Sequence, residues 1–255
     1  MPTSIANLES LIREYGALAP TTAGKAAAEG QGAYLPMHLL RRAIIRSWLG
    51  WHAGEEFGAT SSKMAESLRR AYEYYRLNGD YPGARAFHDS FLIQCAILSG
   101  DAGLAAEAAD FVEPALPGSA DEVGTQCWTG ILKYHVLADP AAMRRQYDRM
   151  AGSSPARVFV TPGPALVTAF VSGRPDVFRR ALKKAVDRHA RLASKAGALA
   201  KAEDGSIVFD ARRMGDRYLW PWADAAFAKL AHRRGWEIAG DEFWIPARYV
   251  AATAH

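Results

Sequence analysis

The sequence predicts an all-α fold: a compact array of about nine to ten helices in antiparallel hairpins, repeat-like in part, with an extended C-terminal tail. The first observation behind this prediction is that apolar residues recur at three- and four-residue steps along most of the chain. The second is a recurring junction in which a glycine ends one helical pattern and an aspartate opens the next. The third is composition, because 49% hydrophobic residues over 255 positions suffice for one substantial core.

We expect a single domain that spans residues 1–255. The one candidate for an internal boundary is the Gly-Ser-Ser-Pro stretch at 152–155, which is too short to separate two independent domains. The glycine–aspartate junctions resemble those of helical-hairpin repeats, but their spacing is irregular, which favours a compact array over a regular solenoid.

Three helices are predicted in the first hundred residues. The first covers about 34–53 and buries one apolar stripe, formed by Leu35, Leu39, Leu40, Ala43, Ile44, Trp48 and Trp51. Ser61 or Ser62 caps the second, which ends at the Asn78-Gly79 stop. Asp80 opens the third, with Pro82 in the first turn, where its missing N–H costs nothing.

The middle of the chain carries three more predicted helices. Asp101 caps the first of them, directly after a glycine stop at position 100. A proline-containing break at 114–118 separates it from two amphipathic helices over about 120–137 and 140–151.

The last third of the chain begins with a short apolar helix over about 164–171. The next helix has the clearest amphipathic pattern of the sequence, with an apolar stripe formed by Phe178, Ala181, Leu182, Ala185, Val186, His189, Leu192 and Ala193. Residues 206–209 are a candidate for a brief strand. A final helix spans about 219–234, and the tail Glu237–Val250 is expected to be extended and packed back by its aromatic residues.

Motif spacing predicts no catalytic, cofactor-binding or metal-ligating residue. No two of the seven histidines lie four residues apart, so the His-Glu-x-x-His pattern of zinc hydrolases is missing. Gly24-Lys25 lacks the hydroxyl residue of a phosphate loop, and Gly30-Gln31-Gly32 lacks the third glycine of a dinucleotide fingerprint. Cys95 and Cys127 lie in apolar helical patterns and are expected to be buried, reduced thiols.

Charge and segment composition argue against a nucleic-acid or membrane partner. The formal charge is +4, and short basic pairs are spread along many helices with acids between them, as on solvated helix faces. The N-terminus has neither a basic region nor an apolar core of a signal peptide, and no stretch of about 18 uncharged apolar residues occurs. We expect a cytoplasmic protein that binds neither nucleic acid nor membrane.

The C-terminal third carries a family resemblance. It rests on Trp220-Pro221-Trp222-Ala223-Asp224-Ala225-Ala226-Phe227, Leu230-Ala231, Arg234-Gly235 and Asp241-Glu242-Phe243-Trp244-Ile245-Pro246. These residues resemble the ending of all-helical immunity proteins from bacterial polymorphic toxin systems, in particular the immunity protein 49 family. The Gly173–His189 segment is similar to the helix that precedes this ending in the family.

The resemblance implies a protein that binds a cognate protein toxin, encoded next to it, and neutralises it by stoichiometric occlusion without catalysis. The excess of basic residues suits a neutral or acidic toxin. Such binding needs a few exposed anchors with complementary charge. The candidates for partner binding are Trp51, Glu55, Glu56, Asp241, Glu242, Phe243 and Trp244.

Two other hypotheses stay open. A helical-repeat scaffold or adaptor of the tetratricopeptide type, which binds a peptide or protein partner, is favoured by the capped junctions at 78–80 and 99–101. It predicts a regular superhelix with a concave groove. An enzyme whose site is assembled from residues distant in sequence predicts a deep polar pocket that holds histidines and carboxylates with perturbed titration.

Overall fold

The computed structural model describes residues 4–16, 35–78, 85–113, 120–152, 163–210, 220–238 and 243–253. Within these ranges the chain forms eleven α-helices and one two-stranded antiparallel sheet, which confirms the all-α prediction. In chain order the elements are α1 Leu8–Gly16, α2 Leu35–His52, α3 Phe57–Asn78, α4 Arg85–Leu98, α5 Ala102–Phe111, α6 Ala120–Val136, α7 Pro140–Gly152, α8 Pro164–Val171, α9 Pro175–Lys195, β1 Leu199–Lys201, β2 Ile207–Phe209, α10 Trp222–Arg233 and α11 Ala247–Ala251.

The helix count exceeds the expected nine to ten because neither α1 nor the very short α11 is among the predicted helices. Helix α3 begins at Phe57, so the predicted caps Ser61 and Ser62 lie inside it. Other predicted features fall outside the described residues: the Gly79-Asp80 junction with Pro82, the break at 114–118, residues 153–155 of the candidate boundary, and the glycine-containing segments around Gly24 and Gly30.

Two glycine–aspartate junctions lie where the sequence predicts them. Gly100 and Gly173 adopt φ angles of +80° and +66°, in the left-handed region that ends helices at little cost for glycine. The Asp101 side chain accepts two hydrogen bonds, at 2.8 and 3.0 Å, from backbone N–H groups in the first turn of α5. At the second junction the predicted acidic cap is wrong, because Arg174 occupies the N-cap position of α9 without a side-chain cap hydrogen bond. Asp176 lies in the first turn instead, where an acidic side chain is stabilised by the helix dipole.

Helical hairpins surround a central helix. Short turns join α2 to α3 and α6 to α7, and each pair packs side by side. Helix α4 packs against α2, α3, α5, α6 and α10, and every residue from Leu92 to Leu98 is buried. Because α10 returns to α4 from far along the chain, the array closes on itself, unlike the open superhelix in which each repeat contacts only its neighbours.

The small sheet ties the N-terminus to the last third of the chain. Strands β1 and β2 pair in an antiparallel hairpin, which confirms the brief strand predicted at 206–209. Ile5 forms a parallel bridge to Ile207. The Asn7 carboxamide donates to the Phe209 carbonyl at 2.7 Å and accepts from the Phe209 N–H at 3.1 Å.

Aromatic residues far apart in sequence form a cluster around Trp48 on α2. The Trp48 ring lies nearly parallel to those of Trp220 and Trp244, at interplanar angles of 13° and 4° and centroid distances of 6.1 Å. The Trp48 indole donates to the Phe243 carbonyl at 3.3 Å, and the Trp220 indole donates to the Trp244 carbonyl at 2.6 Å. Stacking and hydrogen bonds together hold the C-terminal segment on α2.

The C-terminal tail packs against the rest of the protein as predicted, but it is not extended throughout. Residues 247–251 form α11, which is too short to produce a recognisable apolar period in the sequence. The Lys229 ammonium donates to the backbone carbonyls of Tyr249 at 3.1 Å and Ala252 at 2.6 Å, at the C-terminal end of α11. Helix α10 therefore anchors α11 through one buried side chain.

Candidate partner-binding surface

Glu55, one of the predicted partner contacts, forms an intramolecular ion pair in the turn between α2 and α3. Arg46 donates through Nη1 to Oε2 at 3.1 Å and through Nη2 to Oε1, and the Lys63 ammonium lies 3.5 Å from Oε2. The hydrogen bond from Arg46 lowers the pKa of the Glu55 carboxyl, so the pair stays ionised. A partner can reach only the 27% of this side chain that remains exposed.

Trp51 and Glu56 border the same turn. The Trp51 ring is half-buried and packs edge-to-face against Tyr249, at a centroid distance of 5.7 Å and an angle of 89°. Glu56 is exposed. The structure thus brings Trp51, Glu55 and Glu56 together as one small patch, and their role as partner contacts stays a prediction.

Phe243 and Trp244 were predicted as exposed anchors, and their expected exposure is wrong. The two side chains are 3% and 2% exposed, because both rings pack around Trp48. His189 packs edge-on against Trp244 at 4.8 Å, as a core histidine would. Asp241 and Glu242, the two other predicted contacts in the tail, lie outside the described residues.

A groove of about 350 Å³ lies between α1, α2 and α3, beside the Glu55 ion pair. Its charged lining residues are Arg42, Arg46, Lys63, Glu66 and Arg70, and its other lining residues are Ile12, Tyr15, Leu39, Ala43 and Ser67. Arg46 is held by Glu55, and Arg70 is held by Glu66. A ligand in this groove would meet excess positive charge above a partly apolar floor.

The solvent face of α9 is a second basic surface. This helix carries seven Lys and Arg residues against two Asp, a net charge of +5, while the whole chain carries +4. We call five of its exposed cations the basic stripe: Arg180, Lys184, Arg188, Arg191 and Lys195. The sequence expectation that positive charge is scattered is therefore wrong for this helix. The signal in the sequence is the spacing of these cations at three- and four-residue steps, which places them on one side of a helix.

Asp224 and Lys229 in α10 are buried ionisable side chains, and no sequence motif marks either as a site residue. Burial raises the pKa of the Asp224 carboxyl to about 7, and the Arg188 guanidinium and the Gly163 backbone oppose this rise. Burial lowers the pKa of the Lys229 ammonium to about 7. Because Lys229 binds the end of α11 and lies 4.5 Å from the centroid of the Phe57 ring, its contacts are those of a structural residue.

His135 and Cys127 lie on one face of α6, and both are engaged in packing. The Arg234 guanidinium lies 2.9 Å from His135 Nδ1 and donates to the Phe170 carbonyl at 2.7 Å. Burial and this cation lower the pKa of His135 to about 4, so the imidazole is neutral at neutral pH. Burial raises the pKa of the Cys127 thiol. Cys127 and Cys95 are both free and buried, as the sequence predicts.

No protein-family model, curated protein or solved structure matches this chain. In the part of the chain that the structure describes, no three His, Cys, Asp or Glu side chains are grouped to hold a metal ion. None of the described helices is long and apolar enough to cross a bilayer. The candidate functional features of the described residues are the two basic surfaces, the patch at the α2–α3 turn and the packed C-terminal segment.

Proposed function

We propose that this chain is an immunity protein that binds a cognate bacterial protein toxin and neutralises it by stoichiometric occlusion. The observation that carries the proposal is the packing of the C-terminal segment, whose residues resemble the ending of such proteins. Residues 220–231 and 243–245 are buried, and Trp220, Phe243 and Trp244 among them pack on Trp48. In this arrangement the aromatic residues that carry the resemblance are scaffold, and the charged outer surfaces are left for the partner.

The charged surfaces suit a protein partner whose contact surface is neutral or acidic. The groove and the basic stripe stand on helices that are packed on their opposite faces, so little conformational entropy is lost when they bind. Complementary charge then gives rapid and specific association. The proposal places the chain in the cytoplasm beside a toxin encoded next to it, with no nucleic acid, membrane, cofactor or metal involved and no catalysis.

A helical-repeat scaffold or adaptor is the second candidate. The α2–α3 and α6–α7 hairpins favour it, since paired helices are the units of such proteins. The contacts from α10 to α4 and from Asn7 to Phe209 weigh against it, because they close the array where an open concave face would be required.

Co-expression of the chain with the product of the gene immediately upstream tests the proposal. We expect relief of a growth arrest and a one-to-one complex that co-purifies on a tag placed on this chain. A harmless neighbour that does not co-purify would contradict the immunity function and make the scaffold the leading hypothesis.

A matched pair of variants in the same assay locates the contact. Lys63→Glu reverses one charge inside the groove, and Arg69→Glu makes the same reversal on the exposed part of α3 outside the groove lining. If Lys63→Glu loses growth rescue and Arg69→Glu keeps it, the toxin binds at the groove. If both variants rescue growth as well as the wild type does, the toxin binds at another surface.

A further inference from the structure

We propose that the basic stripe of α9, with Leu192 at its edge, is a docking site for an acidic protein surface. The identification of this acidic partner with the toxin rests on the proposed function. The acidic character of the partner's surface is the new part of the inference, because the family resemblance does not specify it.

The stripe is a straight row of cations on a rigid support. Its members follow one another at four-, four-, three- and four-residue steps, so they project from one side of the helix over about 22 Å. The opposite side buries Phe178, Leu182 and Val186 against the core, and α9 packs on α8, α10 and β1. The row therefore presents its charges without needing to fold on binding.

Few acids of the helix itself offset this charge. Asp176 pairs with Arg179, which also lies 3.5 Å from a Glu237 oxygen, and all three are outside the stripe. Asp187 is the one acidic residue between positions 180 and 195. Arg188 also faces the buried Asp224, so we leave it unchanged in the variants below.

Leu192 favours a protein over a nucleic acid or a membrane as the occupant. Its side chain is 48% exposed beside Arg188 and Arg191, and an apolar contact within a charged rim is the usual composition of a protein interface. A phosphate backbone offers such a side chain no apolar partner, and the exposed side of α9 has no aromatic residue on which a base could stack. Apart from Leu192, which was predicted to lie in the buried stripe, the large apolar side chains of α9 are buried or half-buried, so the helix has no continuous apolar face to insert into a bilayer.

The test compares three variants of the full chain. The stripe variant is Lys184→Glu/Arg191→Glu/Lys195→Glu, at three exposed positions. The control variant, Arg69→Glu/Arg145→Glu/Lys201→Glu, has the same net charge but reverses exposed residues on α3, α7 and β1. The third variant, Leu192→Ala, removes the apolar contact alone. Circular dichroism checks that all three are folded.

Two probes are used. The first is the product of the upstream gene, which is scored by growth rescue and affinity. The second probe does not depend on the toxin. It is a labelled short helical peptide with glutamate at every fourth position and leucines next to the glutamates. Its binding is compared with that of a labelled short DNA duplex and of phosphatidylserine vesicles.

We expect the stripe variant to weaken toxin and peptide binding by at least about 30-fold, and the control variant to weaken them by less than about threefold. Leu192→Ala should weaken both by about tenfold.

The outcomes separate this inference from the proposed function. If the stripe variant keeps the growth rescue and the toxin affinity of the wild type, the proposed docking site is wrong and the immunity function is still supported. A harmless upstream product would overturn the immunity function, while peptide binding that depends on the stripe and on Leu192 would still support the acidic protein partner. Tighter binding of DNA or vesicles than of the peptide, or peptide binding indifferent to the stripe, would overturn the inference.

Discussion

Asp224 couples the protonation of one buried carboxyl to the stability of the whole chain. The side chain is fully buried, and burial raises its pKa from 3.8 to about 7 against the opposing effects of the Arg188 guanidinium and the Gly163 backbone. A group whose pKa is higher in the folded state holds its proton more tightly there. Its contribution to stability is therefore complete below about pH 4 and is lost as the pH rises through about 7.

Asp224→Asn is expected to remove this pH dependence, because the amide is neutral at every pH. Relative to the wild type, the free energy of unfolding of the variant should rise by roughly 2 kcal/mol between about pH 5 and pH 7. Urea unfolding of both proteins at the two pH values measures this change.

The comparison with the wild type is needed because His135 titrates in the opposite sense. The pKa of His135 is lowered to about 4, so its contribution to stability is lost as the pH falls from about 6.5 towards that value. This contribution is common to both proteins and cancels in the difference. Asp187→Asn, the same substitution at an exposed site, controls for the loss of one carboxyl. A difference for Asp224→Asn that does not change with pH would show that the carboxyl is solvated in the folded protein.

At the scale of elements, Gly50 sets the approach between α2 and the start of α3. A Cβ at this position would lie 2.7 Å from Arg46 Nη1, 2.8 Å from Glu55 Oε2 and 2.9 Å from Thr60 Cγ2. The first two atoms end flexible side chains, but Thr60 is buried and its β-branched side chain has little room to move. Alanine at position 50 would therefore push the two helices apart or disturb the Arg46–Glu55 pair.

Gly50→Ala is expected to lower the free energy of unfolding by about 1–2 kcal/mol, since overpacking outweighs the better helix propensity of alanine. Gly58→Ala is the matched control in α3, where a Cβ would meet nothing within 4 Å. This control should raise the free energy of unfolding by up to about 1 kcal/mol. Urea unfolding of the two variants and the wild type provides the measurement. Equal stabilisation by both substitutions would mean that α2 and α3 are further apart than described.

At the scale of the whole molecule, the Trp48 cluster joins α2 to the last residues of the chain. Trp48, Trp220 and Trp244 stack in one row, and Ser47 and Tyr249 exchange a hydrogen bond of 2.9 Å beside them. These contacts bridge about 200 positions of sequence, so the loss of one ring weakens the closure of the entire helical array.

Trp244→Ala is expected to lower the free energy of unfolding by about 3–5 kcal/mol, as for other buried tryptophans. Trp51→Ala should cost clearly less, because the Trp51 ring is half-buried and packs mainly on Tyr249. Urea unfolding followed by circular dichroism compares the two. An unchanged stability for Trp244→Ala would return Trp244 to the exposed position that the sequence first suggested.

Much of the fold was predictable because helices are specified by neighbouring residues. The cap at Asp101, the glycine stop at Gly173 and the apolar stripe of α9 depend on spacings of a few residues, and they lie where expected except that Leu192 of the predicted stripe is exposed. The candidate site was less predictable. The acids and aromatic residues in the tail look alike in sequence whether they face solvent or the core, and Phe243 and Trp244 face the core.

The sequence by itself determined the helical class, most helix boundaries and the buried state of both cysteines, because periodicity and capping act over one or two turns. Only the tertiary structure decided that Glu55 is paired with Arg46 and that Asp224 and Lys229 are buried. The physical reason is that exposure and pKa depend on which elements pack against a residue. Lys229, for example, contacts Phe57 on α3 and the carbonyls of α11, and these elements are far apart in the sequence.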